Sequence, residues 1–180
     1  MKVLVAYASK YGSTKGIAEF IVEKLRLQGV EVEIQKVDSV RNPGDYGALV
    51  IGSSAYFGHW MKEASEFVVR NRDVLSSRPV WLFSSGPLVN NASVNDPKLE
   101  PKEIAEFREA INPRDHRVFF GALDRKKLGF KDRMVAMMPA TRALFPEGDF
   151  RNWNDIEAWA SNIARTLETP HTTRESEMGT

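Results

Sequence analysis

The chain has 180 residues, 42% hydrophobic and 27% charged, with 25 basic against 24 acidic side chains and no cysteine. That is the composition of one globular domain with a single substantial core, and it excludes a disulfide framework, a thiolate metal site and an iron–sulfur cluster. Three well-separated histidines, His59, His116 and His171, offer no metal cluster, a net charge of +1 argues against a nucleic-acid binder, and neither a signal-peptide layout nor a bilayer-length apolar run is present.

Taken in order, residues 3–8 are a continuous apolar run that suits a strand covered on both faces. Ser9, Lys10, Tyr11, Gly12, Ser13 and Thr14 follow as a tight hydroxyl- and glycine-bearing turn. Ile17, Ala18, Ile21, Val22 and Leu25 then recur at helical spacing, predicting a helix over 13–28 that stops at Gly29. Residues 30–37 alternate like a half-exposed edge strand, and Asn42-Pro43-Gly44-Asp45 is loop chemistry. A third strand at 48–51 opens into a loop carrying Ser53, Ser54, Ala55, Tyr56, Phe57, Gly58, His59 and Trp60, before a helix at 61–71. A fourth strand at 79–83 ends in Ser84, Ser85, Gly86, Pro87 and Leu88. A polar loop covers 89–101, a helix 102–111, and a fifth strand 117–121, with His116 just before it. The last helix, 153–167, has Asn152 as its N-cap and Asp155 in its first turn, and 168–180 reads as a solvated tail on a domain spanning 1–167.

Strands alternating with helices predict an α/β fold with a parallel sheet between two helical layers. A strand running into a helix N-terminus aims unpaired backbone N–H groups and the positive end of the dipole at one point, a ready phosphate site. The dinucleotide pattern G-x-G-x-x-G is absent, and Gly12-Ser13-Thr14 lacks the lysine of a nucleotide P-loop. A hydroxyl-rich loop without that lysine suits a terminal phosphomonoester. Here the sequence resembles the flavodoxin-like proteins, whose first loop, Ser/Thr-x-x-Gly-x-Thr, holds the phosphate of FMN; this chain has Ser9-Lys10-Tyr11-Gly12-Ser13-Thr14. The resemblance implies a doubly wound five-stranded sheet of order 2-1-3-4-5 in three layers, with the cofactor at the switch point between strands 1 and 3. It implies FMN contacts from Ser9 to Thr14, from Ser53 to Gly58 and from Ser84 to Leu88. Tyr56, Phe57 and Trp60 supply stacking surface for the ring, while Gly58 and Gly86 let backbone approach it. His59 is the candidate catalytic residue, able to donate to the flavin or take a substrate proton. His116 is expected at the opposite end of the sheet in a structural role.

Residues 122–149 form an insertion between the fifth strand and the last helix, longer than that connection needs. It is dense in basic residues (Arg125, Lys126, Lys127, Lys131, Arg133) and then turns rich in Met, Phe and Leu through Phe145, as an interfacial segment or binding surface would be. The motifs Ile51-Gly52-Ser53-Ser54, Phe57-Gly58-His59, Gly121-Ala122-Leu123 and Asp132-Arg133 resemble the bacterial quinone-dependent protoporphyrinogen IX dehydrogenases over most of 1–167. That resemblance implies an FMN enzyme of haem biosynthesis passing electrons from a porphyrinogen to a quinone, with the basic residues meeting the propionates. The chain departs from one member of that family at Tyr56, where an arginine stands, and at residues 145–150. The expected partners are a quinone or other redox partner, a porphyrinogen, and the membrane surface through 125–145, for a protein of the cytoplasm. The alternatives are an electron carrier of flavodoxin type without a small-molecule substrate, a nicotinamide-driven quinone reductase, and a non-catalytic binding domain. Flavodoxins that shuttle electrons are markedly acidic as a family, and a near-neutral chain supplies little such steering.

Overall fold

The computed structural model describes residues 1–86, 99–130, 132, 134, 138 and 147–168. Its centre is β1 (Val3–Ala8), buried along its whole length. Parallel strands β2 (Val32–Lys36) and β3 (Ala48–Tyr56) flank it, and β5 (Val80–Ser85) and β6 (Asp115–Phe119) continue the sheet in the order β2-β1-β3-β5-β6. These five are the principal strands expected in the order 2-1-3-4-5. The label shift comes from a short β4 (His59–Trp60) that pairs antiparallel with β3 off the main path.

Strand residues alternate between faces, so each face has its own core. Val3, Val5, Val50 and Phe83 pack against α1 (Ser13–Leu27) and α5 (Trp153–Glu168). Leu4, Ala6, Ile51 and Leu82 pack on the other face, against α2 (Lys62–Arg70), α3 (Arg72–Ser76) and α4 (Glu103–Ile111). The buried stripe of α1 is Thr14, Ile17, Ala18, Ile21, Val22 and Leu25, and that of α5 is Ile156, Trp159, Ala160, Ile163 and Ala164, both at helical spacing. Gly29, just past α1, has φ 79, the left-handed conformation of a helix stop. Ahead of α5 the Asp155 N–H donates to Asn152 Oδ1 at 3.3 Å.

Four of the departures from expectation bear on the site. The expected loop at 53–60 is the end of β3 and a hairpin: the turn residues Phe57 and Gly58 both take positive φ, 51 and 77, the twist that joins adjacent antiparallel strands. The helix expected over 61–71 ends at Arg70, and α3 follows from Arg72. β6 begins at Asp115, two residues early, so His116 lies within the strand. The insertion starts and ends in a ladder of its own, β7 (Ala122–Leu123) pairing antiparallel with β8 (Gly148–Asp149). The expectations for 89–98, for Lys131, Arg133 and the apolar stretch through Phe145, and for the tail from 169 onward lie outside the described residues. Among the described residues no helix is long and apolar enough to cross a membrane.

Candidate functional site

Three loops converge at the carboxyl ends of β1, β3 and β5. In the first, the Gly12 N–H donates to Ser9 Oγ at 3.1 Å, and Gly12 takes φ 91 at the N-cap of α1. Among the described residues no side chain caps that helix, so its first N–H groups have no intrahelical or capping partner there. Thr14 Oγ1 and Ser54 Oγ, both buried, are 2.7 Å apart. Ser13 Oγ accepts the Ala122 N–H at 2.8 Å and stands 3.4 Å from Ser85 Oγ, tying the first loop to β5 and to the root of the insertion. Gly86 takes φ 113 and donates its N–H to Phe119 O at 3.0 Å. A Cβ on Gly86 would come within 3.2 Å of Ala55 O, and one on Gly121 within 3.3 Å of Ser13 Oγ, so the loops meet at backbone distance.

The insertion reaches the same place. Lys10 Nζ pairs with Asp132 Oδ2 at 2.5 Å, and the Tyr11 hydroxyl donates to the same carboxylate. Tyr11 also packs against Leu123 and Leu128. The Lys10 hydrogen bond raises the lysine pKa and, in return, holds the Asp132 carboxyl below its usual range. Lys10 lies 5.2 Å from the Tyr11 ring and 5.7 Å from the Tyr56 ring. Burial pushes the Tyr56 phenol up to about 12, with Lys10 opposing, so it stays neutral at physiological pH.

Alternation along the strands separates the four serines. Ser54 and Ser85 face α1, with Thr14 and Ser13. Ser53 and Ser84 face the α2–α4 layer, where their hydroxyls hold the hairpin from behind: Met61 N–H donates to Ser53 Oγ at 3.0 Å and the Trp60 indole N–H to Ser84 Oγ at 2.7 Å. The start of α4 completes the hold. Gly58 O accepts the Lys102 N–H at 3.0 Å, and Glu103 takes the Trp60 backbone N–H at 3.2 Å and His59 Nδ1 at 2.8 Å. Burial raises the Glu103 carboxyl, but these hydrogen bonds outweigh it and leave its pKa lowered. Glu103 escaped sequence reasoning; its only signal was an acidic residue in a helix first turn. Pro87 and Leu88 lie outside the described residues. A cleft of about 320 Å³, lined by Arg117, Phe119, Asn152 and Trp159, lies along α5 and β6, the outer strand of the sheet.

Trp60→Phe keeps most of the packing against Phe107, whose ring centroid is 5.3 Å away, but removes the indole donor. A loss of about 1–2 kcal/mol is expected in urea unfolding; an unchanged midpoint would mean that the bond to Ser84 contributes nothing.

The placement of His116 at the opposite end of the sheet needs correction. The early start of β6 pairs His116 with Leu82 and brings its Nε2 to 2.8 Å from Ser84 Oγ, behind the hairpin. Burial pushes its imidazole below the usual value, against the opposing pull of Glu100. The unfolded chain therefore takes up this proton more readily than the folded one. Stability is expected to fall as pH drops below about 6.5, seen as an earlier urea midpoint at pH 5 than at pH 7.

The chain is 24% identical over 182 aligned positions, 94% of its own length and 98% of the other's, to a protein named protoporphyrinogen IX dehydrogenase [quinone] of Escherichia coli K12. Among solved structures it matches a mutant flavodoxin from Pseudomonas aeruginosa with a TM-score of 0.61 at 16% identity, and a flavodoxin from the domain Archaea with 0.59 at 17%. Each alignment covers 94% of this chain and 100% of the other. The flavodoxin domain model matches residues 4–143, and with this sheet order and these loops the chain belongs to the flavodoxin family.

Proposed function

We propose that the protein binds FMN and is an oxidoreductase of the protoporphyrinogen dehydrogenase type, taking electrons from a porphyrinogen and delivering them to a quinone. The observation that carries this reading is the insertion rooted beside the first loop, with Leu123 and Leu128 on Tyr11 and Asp132 on Lys10. On this reading the segment would form one side of a substrate pocket beside the cofactor. The match to the E. coli protein supports it by spanning nearly the whole of both chains.

The residues present fit FMN. The uncapped N-terminus of α1, with Ser9, Ser13 and Thr14 hydroxyls around a left-handed Gly12, suits a phosphate dianion. Tyr56 and Phe57 offer ring surface, and Gly58 and Gly86 allow backbone approach. Bound FMN would supply reversible hydride and single-electron acceptance. The protein adds a proton acceptor. Cross-strand pairing puts His59 on the same ribbon face as Tyr56. Because the Glu103 carboxylate only accepts, His59 Nδ1 carries the hydrogen, and the neutral ring would turn an Nε2 lone pair to substrate from a side chain that is 51% exposed. A porphyrinogen losing hydride must also lose a proton, and His59 would receive it. Phe57 is 85% exposed on the hairpin, and the insertion carries the basic run Arg125, Lys126 and Lys127 followed by exposed Phe130, Met134 and Met138. Such a mixture of basic and apolar side chains suits a macrocycle with propionates and a lipid surface holding quinone.

The test is anaerobic mixing of FMN-loaded protein with protoporphyrinogen IX and menaquinone, followed by porphyrin fluorescence. Growth that requires both FMN and quinone is the expected result. FMN retained without fluorescence growth would leave an electron-transfer flavodoxin, the second reading, which whole-length likeness to flavodoxins keeps open.

A further inference from the structure

Behind the hairpin runs a hydrogen-bond chain, buried from Trp60 to His116 and reaching the surface at Arg108, that the proposed chemistry does not use. The Trp60 indole N–H donates to Ser84 Oγ at 2.7 Å, Ser84 Oγ lies 2.8 Å from His116 Nε2, and His116 Nδ1 lies 3.1 Å from Glu100 Oε1. Arg108 ends the chain, holding both Glu100 oxygens at 2.8 and 2.5 Å. The order of groups is that of a serine–histidine–carboxylate relay. Ser84 is wholly buried and the His116 side chain only 2% exposed, so neither can meet a substrate. The chain can act only by holding something in place.

Its end groups fix its polarity. The Glu100 carboxylate only accepts, so His116 Nδ1 carries hydrogen; the indole only donates, so Ser84 accepts from it and gives its own hydrogen to Nε2. Every member is satisfied while the imidazole is neutral. A proton on Nε2 reverses that end: the imidazolium and the indole both aim N–H at one oxygen, and the Ser84 hydrogen loses its acceptor. The charged groups acting on the ring are Glu100, ahead of α4, and Asp115, on its own strand, which favour the cation, and Arg108 of α4, which opposes it. Burial, the largest influence, also opposes it.

We propose that His116 is a positioning residue of the cofactor site: neutral, it holds Trp60 and thereby the β3–β4 hairpin in the FMN-binding arrangement, and protonation releases both. Trp60 pairs with Ala55 and His59 with Tyr56, so a displaced indole moves the ring-facing residues directly. The inference rests on the FMN reading of this site.

FMN affinity is measured from pH 8 to pH 5 for the native protein, His116→Gln and Glu100→Gln. The phosphate of FMN titrates in the same range, but equally for all three, so the ratio of each variant's Kd to the native Kd isolates the chain. The native protein is expected to weaken at least about tenfold more than His116→Gln over this range. Glu100→Gln removes a charge that favours the imidazolium, so its acid transition moves to lower pH. Ratios that stay constant with pH in folded protein overturn the proposal. Should His116→Gln not fold, Glu100→Gln decides alone, an unmoved transition overturning the proposal. Native protein that fails to bind FMN at pH 8 overturns the cofactor reading and this proposal with it, whereas binding with flat ratios overturns this proposal only.

Discussion

Gly52→Val is expected to destabilise the protein by about 3 kcal/mol or more, the upper range for overpacking a core. Gly52 lies in β3 opposite Phe83 of β5, and a Cβ there would overlap the Phe83 ring. That ring is wholly buried and boxed in by Trp159 and Phe119, at centroid distances of 6.1 and 6.2 Å. It cannot withdraw without unseating α5. A domain of this size holds roughly 5–15 kcal/mol of stability, so the loss is a large share of the whole. Urea unfolding measures it, and Phe83→Leu in the same chain should recover part of the loss. A valine variant as stable as its parent would show that the ring does not cover Gly52.

FMN is expected to bind at least about a hundredfold more tightly than riboflavin, which has the same ring and ribityl chain but no phosphate. Two or more charge-assisted hydrogen bonds, each worth about 1.5–3 kcal/mol, give that margin or more. Their donors would be the first N–H groups of α1, which no side chain among the described residues caps. Ser13→Asp can still accept the Ala122 N–H, yet it sets a carboxylate where the phosphate would lie. In this variant the preference should shrink towards unity. Fluorescence quenching titrations with both ligands measure it. Equal affinities in the native protein would place the phosphate somewhere other than the first loop.

The doubly wound sheet was legible because its signals are local: an unbroken apolar run at 3–8, helical spacing from Ile17 to Leu25, and a switch point that follows from strand order. The hairpin was not, for β4 is two residues long and Phe57 takes a positive φ that its residue type disfavours. Its evident support is tertiary, from Lys102 and Glu103 of a segment more than forty positions away. The serine pairs were half legible. Neighbours on a strand face opposite ways, so once β3 is known to run through Tyr56, Ser53 and Ser54 cannot share a role. The side-chain hydrogen bond between His116 and Ser84 followed from where β6 begins, and strand boundaries are the feature a sequence marks least sharply.

The β7–β8 ladder closes the insertion at its base, where residues 124–147 leave and return. Doubling or halving a loop closed in this way changes its closure entropy by only about 0.6 kcal/mol. The length of that segment can therefore change at little cost to the sheet from which it leaves. On the proposed reading, residues that meet substrate would be carried on the segment least tied to the core, and those that hold the cofactor on the loops of the sheet itself.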